Sequence, residues 1–243
     1  MSDWVAGVDG CRGGWLVVLR PLTDPSAVRC HLLKTFGEVL TLPEAPQVVA
    51  VDIPIGLPET ATIGGRAADS AARAVLGDRQ SAVFAVPSRA AVMQSDYGDA
   101  CRVALATSDP PRKVSKQTFY LFPKIREVDA HMTPALQGRV MEVHPEVAFW
   151  VLNGFQPLSE PKKVKSRPYE PGLALRLGLL AAAGYPTDVL QSAVFRSAEA
   201  GADDVLDAAA NSAAAARIAR GEGRRFPDDP ARDAKGLRME IWG

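Results

Sequence analysis

Val5-Ala6-Gly7-Val8-Asp9-Gly10 and Val48-Val49-Ala50-Val51-Asp52-Ile53-Pro54 decide the fold, because each is a short apolar strand that ends on an aspartate. In both, the acid stands where a strand leaves its sheet, at the edge where α/β sheets bind ligands. The second run is apolar on both faces, which marks a central buried strand. Pro54 and Gly56 then take the chain out of the sheet. Aspartate is disfavoured in such a strand, so Asp52 reads as functional. Asp9 has a plainer reading as the turn of an Asp-Gly hairpin.

Working outward, Trp15-Leu16-Val17-Val18-Leu19-Arg20 follows a glycine-rich turn at residues 9–14 and folds back as a hairpin. Residues 30–36 supply a third antiparallel strand, and a short helix over 36–42 stops before Pro43 and Pro46. From 57 to about 135 the pattern becomes helices broken by proline and glycine, an insertion that includes residues 66–76 closed by Gly77. Residues 139–144 alternate like a strand, and Pro145 opens a helix in its favoured first position. Helices near 172–183 and over 202–220 complete the chain. This order predicts an α/β fold of one domain over residues 1–243, a mixed five-stranded, ribonuclease H-like sheet flanked by helices with a helical insertion.

Composition narrows the chemistry. The 28 basic residues balance the 28 acidic ones, so the chain lacks the positive field of proteins that grip long duplex nucleic acid. Cys11, Cys30 and Cys101 are far apart and odd in number, which implies neither a disulfide framework nor a structural zinc site and points to a reducing cytoplasm. No signal peptide or membrane span is expected. With only His31, His131 and His144 present, oxygen ligands and hence magnesium or manganese are favoured over zinc or iron.

A third acidic segment lies far downstream, in Ala202-Asp203-Asp204-Val205-Leu206-Asp207-Ala208-Ala209-Ala210-Asn211. Asp204 and Asp207 share a helix face, with Asn211 one turn on. Asp203 reads as a cap or dipole partner. Asp207 lies too far into the helix for capping, and a buried carboxylate there needs a cation or donor opposite it. Glu142 and His144 occupy alternate positions on one strand face, which suits a metal ligand, an acid/base pair or a solvated edge.

Donors for a substrate come from Arg12 in the first turn, from Ser115, Lys116 and Gln117 in a loop after Pro110-Pro111, and from Lys162, Lys163, Lys165 and Arg167. The last four suffice to neutralise a few phosphates, although a solvated linker is the commoner explanation of such a run. Arg66, Asp69 and Arg73 share a helix face and read as a surface ion-pair ladder.

The strings GVDGCRGGW, VDIPIGLPE, GRAADSAARAVLG, VFAVPSRAA, SKQTFYLFPKIREVD, EVHPEVAFW and ADDVLDAAANS together resemble the family called domain of unknown function 429, over nearly the whole chain. The resemblance implies a predicted nuclease of ribonuclease H-like fold, similar to Holliday-junction resolvases in carrying acids on the first strand, the fourth strand and the last helix. By position these are Asp9, Asp52, and Asp204 with Asp207. Resolvase-like enzymes often have glutamate at the fourth-strand position, so Asp52 is shorter by one methylene.

The expectation is a magnesium- or manganese-dependent phosphodiesterase in which Asp9, Asp52, Asp204 and Asp207 hold two cations roughly 3.5–4 Å apart. Glu142 or His144 assists proton movement, and the substrate is a short or single-stranded nucleic acid or oligonucleotide. Two alternatives stay open. One is an actin-like ATPase superfamily phosphotransferase or nucleotide hydrolase, and the other is a non-catalytic module that binds a ligand or partner in its acidic cleft.

Overall fold

The first three strands form an antiparallel meander because alternate apolar positions on each find partners across short turns. They are β1 (Trp4–Cys11), β2 (Gly14–Pro21) and β3 (Arg29–Leu33). The computed structural model describes residues 3–243 apart from Ser166, Val194 and Ser197. Thr35 caps α1 (Phe36–Leu40) by accepting the Glu38 N–H, and the chain then returns through β4 (Val48–Val51). β4 runs parallel to β1 in the register Gly7↔Ala50 and Val8↔Val51. The fifth strand, β5 (Val140–Glu142), lies parallel to β4 with Val51 opposite Glu142. The strand order is β3-β2-β1-β4-β5, a mixed ribonuclease H-like sheet.

Between β4 and β5 lies the insertion, whose main helices are α2 (Ala67–Val75), α3 (Tyr97–Ala106) and α4 (Lys116–His131). After β5 come α5 (Pro145–Leu152), α6 (Glu170–Ala182) and α7 (Ala202–Ala219). Residues 115–119, expected as a loop, instead start α4, because Ser115 accepts the Thr118 N–H at 3.0 Å and caps the helix.

The sheet separates two apolar cores, and strand parity assigns each residue to one of them. Ala6, Val8, Val49, Val51 and Val140 join α1, α4 and the insertion on one face. Val5, Val48, Ala50 and Val143 join the α5–α7 side on the other, where the small alanines of α7 admit a close approach. Gly7 makes that approach possible, since a Cβ there would lie 2.1 Å from both the Ala208 carbonyl oxygen and the Ser212 nitrogen. Deeper in, the Asn211 amide donates to the Val8 carbonyl at 3.1 Å, which fixes α7 along β1.

Candidate active site

Parity carries Asp9 and Asp52 to the α7 side of the sheet. Asp9 follows Val8 on β1, the Asp52 N–H donates to the Val8 carbonyl at 3.0 Å, and the two acids leave neighbouring parallel strands together. Asp9 is 7 % exposed and Asp207, in the second turn of α7, is 2 % exposed. Burial, followed by the charges of Asp207 and Asp52, pushes the Asp9 carboxyl well above its usual range. Asp52 is pushed up to about 7, chiefly by burial, with Lys162 opposing and Asp207 and Glu146 adding to the rise.

Three carboxylates this close need a positive charge, and Lys162 supplies one. Its Nζ donates to Asp207 Oδ2. Burial works against the ammonium, but Asp207 and Asp9 more than compensate and raise its pKa well above the usual lysine range. Lys162 satisfies only one oxygen of Asp207, and Oδ1 is buried without a hydrogen-bond partner. Among the described residues, no three Asp, Glu, His or Cys side chains are gathered as they stand into a metal-holding group.

The remaining predicted residues are divided among other tasks. Asp204 accepts the Gly201 N–H at 2.8 Å and so acts as the cap that was expected of Asp203, while Asp203 pairs with Lys163 at 2.6 Å. Glu142 lies on the insertion side of the sheet, where Arg66 Nη2 reaches Oε1 at 2.5 Å, Arg66 Nη1 reaches Oε2 at 2.8 Å and the Ile55 N–H reaches Oε2 at 2.6 Å. Burial pushes Glu142 upward and Arg66 opposes it, and three donors fit the carboxylate form. Arg66 also binds Asp69 at 2.7 Å with both side chains buried. These two residues are therefore not a surface ladder. They are part of a buried network that joins α2 to β5.

His144 lies past the end of β5 and caps α5, off the strand that carries Glu142, although both line one small cavity with Asp52. Its Nδ1 accepts the Glu146 N–H at 3.2 Å, which leaves the proton on Nε2, 3.3 Å from the Ala82 carbonyl. Burial keeps it neutral by lowering its pKa.

The substrate donors separate as well. Arg12 and Lys163 line a groove of about 530 Å³ that runs from Gly10 past Tyr120 and Lys124 to Asp203 and Asp204, beside the carboxylates. Ser115 lines a different cavity with Arg112 and Thr118, Lys116 Nζ sits 5.9 Å over the Tyr97 ring, and Gln117 follows in the first turn of α4. Lys165 and Arg167 are exposed on a two-stranded hairpin, Lys163–Val164 against Arg167–Pro168.

Glu146 and Arg176 were not read from the sequence. Glu146 lies in the first turn of α5, faces Asp52 electrostatically and hydrogen-bonds the fully buried Arg176, while its Oε2 has no partner. The signal was present, because Glu146 interrupts an otherwise apolar helix as Asp207 does, and Arg176 is the only cation in α6.

Asp9, Asp52 and Asp207 offer a hard oxygen donor set, and the orphaned Oδ1 of Asp207 is an acceptor still lacking its donor or cation. These residues fit a magnesium or manganese ion better than a soft one. No curated protein and no solved structure matches the chain. A family model described as Protein of unknown function (DUF429) matches residues 7–232, and the chain belongs to that family.

Proposed function

We propose that this protein is a divalent-cation-dependent phosphodiesterase acting on short or single-stranded nucleic acid, and that it works in the cytoplasm. The observation that carries this reading is the meeting of Asp9, Asp52 and Asp207 at the ends of two parallel strands and one helix, with Asp207 Oδ1 buried and unpartnered. Asp9, Asp52 and Asp207 would hold magnesium or manganese, which supplies charge to offset the phosphodiester and acidity to an attacking water.

The chain's own residues supply the rest. Asp52, half-buried and with its pKa raised to about 7 in the metal-free protein, must release its proton to hold the cation. Glu146, held by Arg176, fixes the negative charge behind Asp52. Arg12 and Lys163 line the neighbouring groove, where a phosphate backbone can be held in front of the acids. The groove's volume suits a nucleotide or two rather than a duplex. His144, with both ring nitrogens engaged, serves to orient α5 rather than to shuttle protons.

The test is a manganese titration by calorimetry of the wild type and of the Asp9→Asn/Asp207→Asn variant, followed by labelled RNA and DNA of several lengths. Metal binding and cleavage lost together in the variant support the site; metal bound equally by both proteins removes it. A second reading, a binding module without catalysis, draws on Lys162 already neutralising Asp207. It predicts oligonucleotide binding with no cleavage in manganese.

A further inference from the structure

Lys162 lies where a bound cation would be expected to face Asp207. Its hydrogen bond goes to one carboxylate oxygen, and the other is left buried with no partner. A buried charged acceptor left without a donor is destabilising, so the pair is incomplete as it stands. A divalent ion carries twice the charge of an ammonium and can engage several carboxylate oxygens together.

The segment around Lys162 is anchored at its base, and its side chain reaches into the site to Asp207. Arg176 Nη1 donates to the Glu160 carbonyl at 3.0 Å, and the Tyr169 N–H donates to the Lys162 carbonyl at 2.9 Å. Gly172 of α6 comes so near that a Cβ there would lie 1.8 Å from the Pro161 carbonyl oxygen. Beyond these contacts its two strands pair with each other, Lys163 reaches Asp203 at 2.6 Å, and Lys163, Val164, Lys165 and Arg167 are exposed. The Lys162 side chain is 30 % exposed although Asp207 is buried, so the lysine enters the site from its open side. Withdrawing the ammonium breaks the strap's tie to Asp207 and loosens the hairpin beyond its anchors at Glu160 and Tyr169. Lys163, next along the strap, already borders the groove with Arg12.

We propose that Lys162 is the resident counter-ion of the Asp9–Asp52–Asp207 site, that a divalent cation must displace it to bind, and that the displaced ammonium then faces the groove as a contact for the substrate's phosphate. Lys162 therefore sets the affinity and the charge selectivity of the site, because a monovalent ion brings no more charge than the ammonium it would replace. This rests on reading the three acids as a cation site.

If the ammonium occupies the site in nine of ten molecules, it weakens apparent metal affinity about tenfold. Manganese calorimetry on the whole protein should therefore give Lys162→Met a Kd roughly tenfold below that of the wild type. Lys165→Met, which removes an exposed charge of the same hairpin but not the plug, should change the Kd by less than about threefold. In the wild type, saturating manganese should speed amide hydrogen exchange in residues 162–168 as Lys162 lets go; in Lys162→Met that exchange should be insensitive to manganese. An equal Kd for wild type and Lys162→Met, or exchange in residues 162–168 unaffected by manganese in the wild type, overturns the proposal while leaving the cation site standing. Absence of manganese binding in every one of these proteins removes the site and the proposal together.

Discussion

Gly7 and Ala208 meet backbone to backbone, and this contact sets the distance between β1 and α7 and so brings Asp9 within reach of Asp207. Gly7→Ala inserts a methyl group into main-chain atoms on both sides, with no flexible side chain to yield. Overpacking of this kind costs about 1–3 kcal/mol, occasionally more. Chemical denaturation should place the loss at the upper end of that range, and manganese binding should weaken because α7 is pushed outward. Unchanged stability and unchanged metal affinity would show that the contact does not position the acids.

A ligand that binds only the folded protein stabilises it by mass action, about 2.7 kcal/mol at a hundred times its Kd. Manganese should raise the Tm of the wild type and leave that of Asp207→Asn unmoved. In the absence of metal the variant carries a further cost. Lys162 loses the carboxylate it faces, and removing one partner of a buried pair is strongly destabilising. Asp207→Asn/Lys162→Met should recover part of that cost and still fail to respond to manganese. Thermal melts of the three proteins with and without metal decide the matter.

Arg66 holds Asp69, Glu142 and the carbonyls of Ile55 and Gly56 together in one buried network. Arg66→Met leaves two carboxylates buried without their cation and should cost about 3–5 kcal/mol. Glu142→Gln leaves Arg66 paired with Asp69 and should cost less. Because Glu142 lies on the far side of the sheet from Asp207, Glu142→Gln should keep manganese binding, measured by calorimetry; loss of that binding would restore Glu142 as a ligand.

The sheet was legible because its signals are local. Alternation, a glycine-rich turn and a wholly apolar fourth strand mark the strands that end on Asp9 and Asp52, while their side-by-side placement comes from the pairing of β1 with β4. The face of Glu142 was not legible because it depends on the register of β5, and a shift of one residue turns every side chain over. Arg66, Asp69 and Arg73 illustrate the opposite limit. Their helical spacing is real, but the spacing cannot say that Glu142 packs against Arg66, and an isolated ion-pair ladder has the same pattern. That Asp204 rather than Asp203 caps α7 turns on the helix boundary at Gly201, where a single residue decides which carboxylate reaches back to the cap. Lys162 was visible as a cation, but its partner was not, because the pairing joins two segments 45 residues apart.

The pH response follows from Asp52. Its pKa is pushed up to about 7 in the folded protein, with Asp207, Glu146 and Lys162 facing it, against a value of 3.8 in the unfolded chain. Between these values the folded state holds a proton that the unfolded state has released. The slope of stability with pH is therefore negative in this window. The contribution is fully present below about pH 4, is lost as pH rises through about 7, and is absent above it. Metal binding has the opposite dependence, because manganese needs the deprotonated acid and its affinity should rise with pH until about 7. Asp9 titrates in the same direction and steepens both trends. Asp52→Asn should flatten the stability profile between pH 4 and 7 and reduce the number of protons released on manganese binding, measured by calorimetry in buffers of different ionisation enthalpy. If the proton release is unchanged, Asp52 is not the group that metal binding titrates.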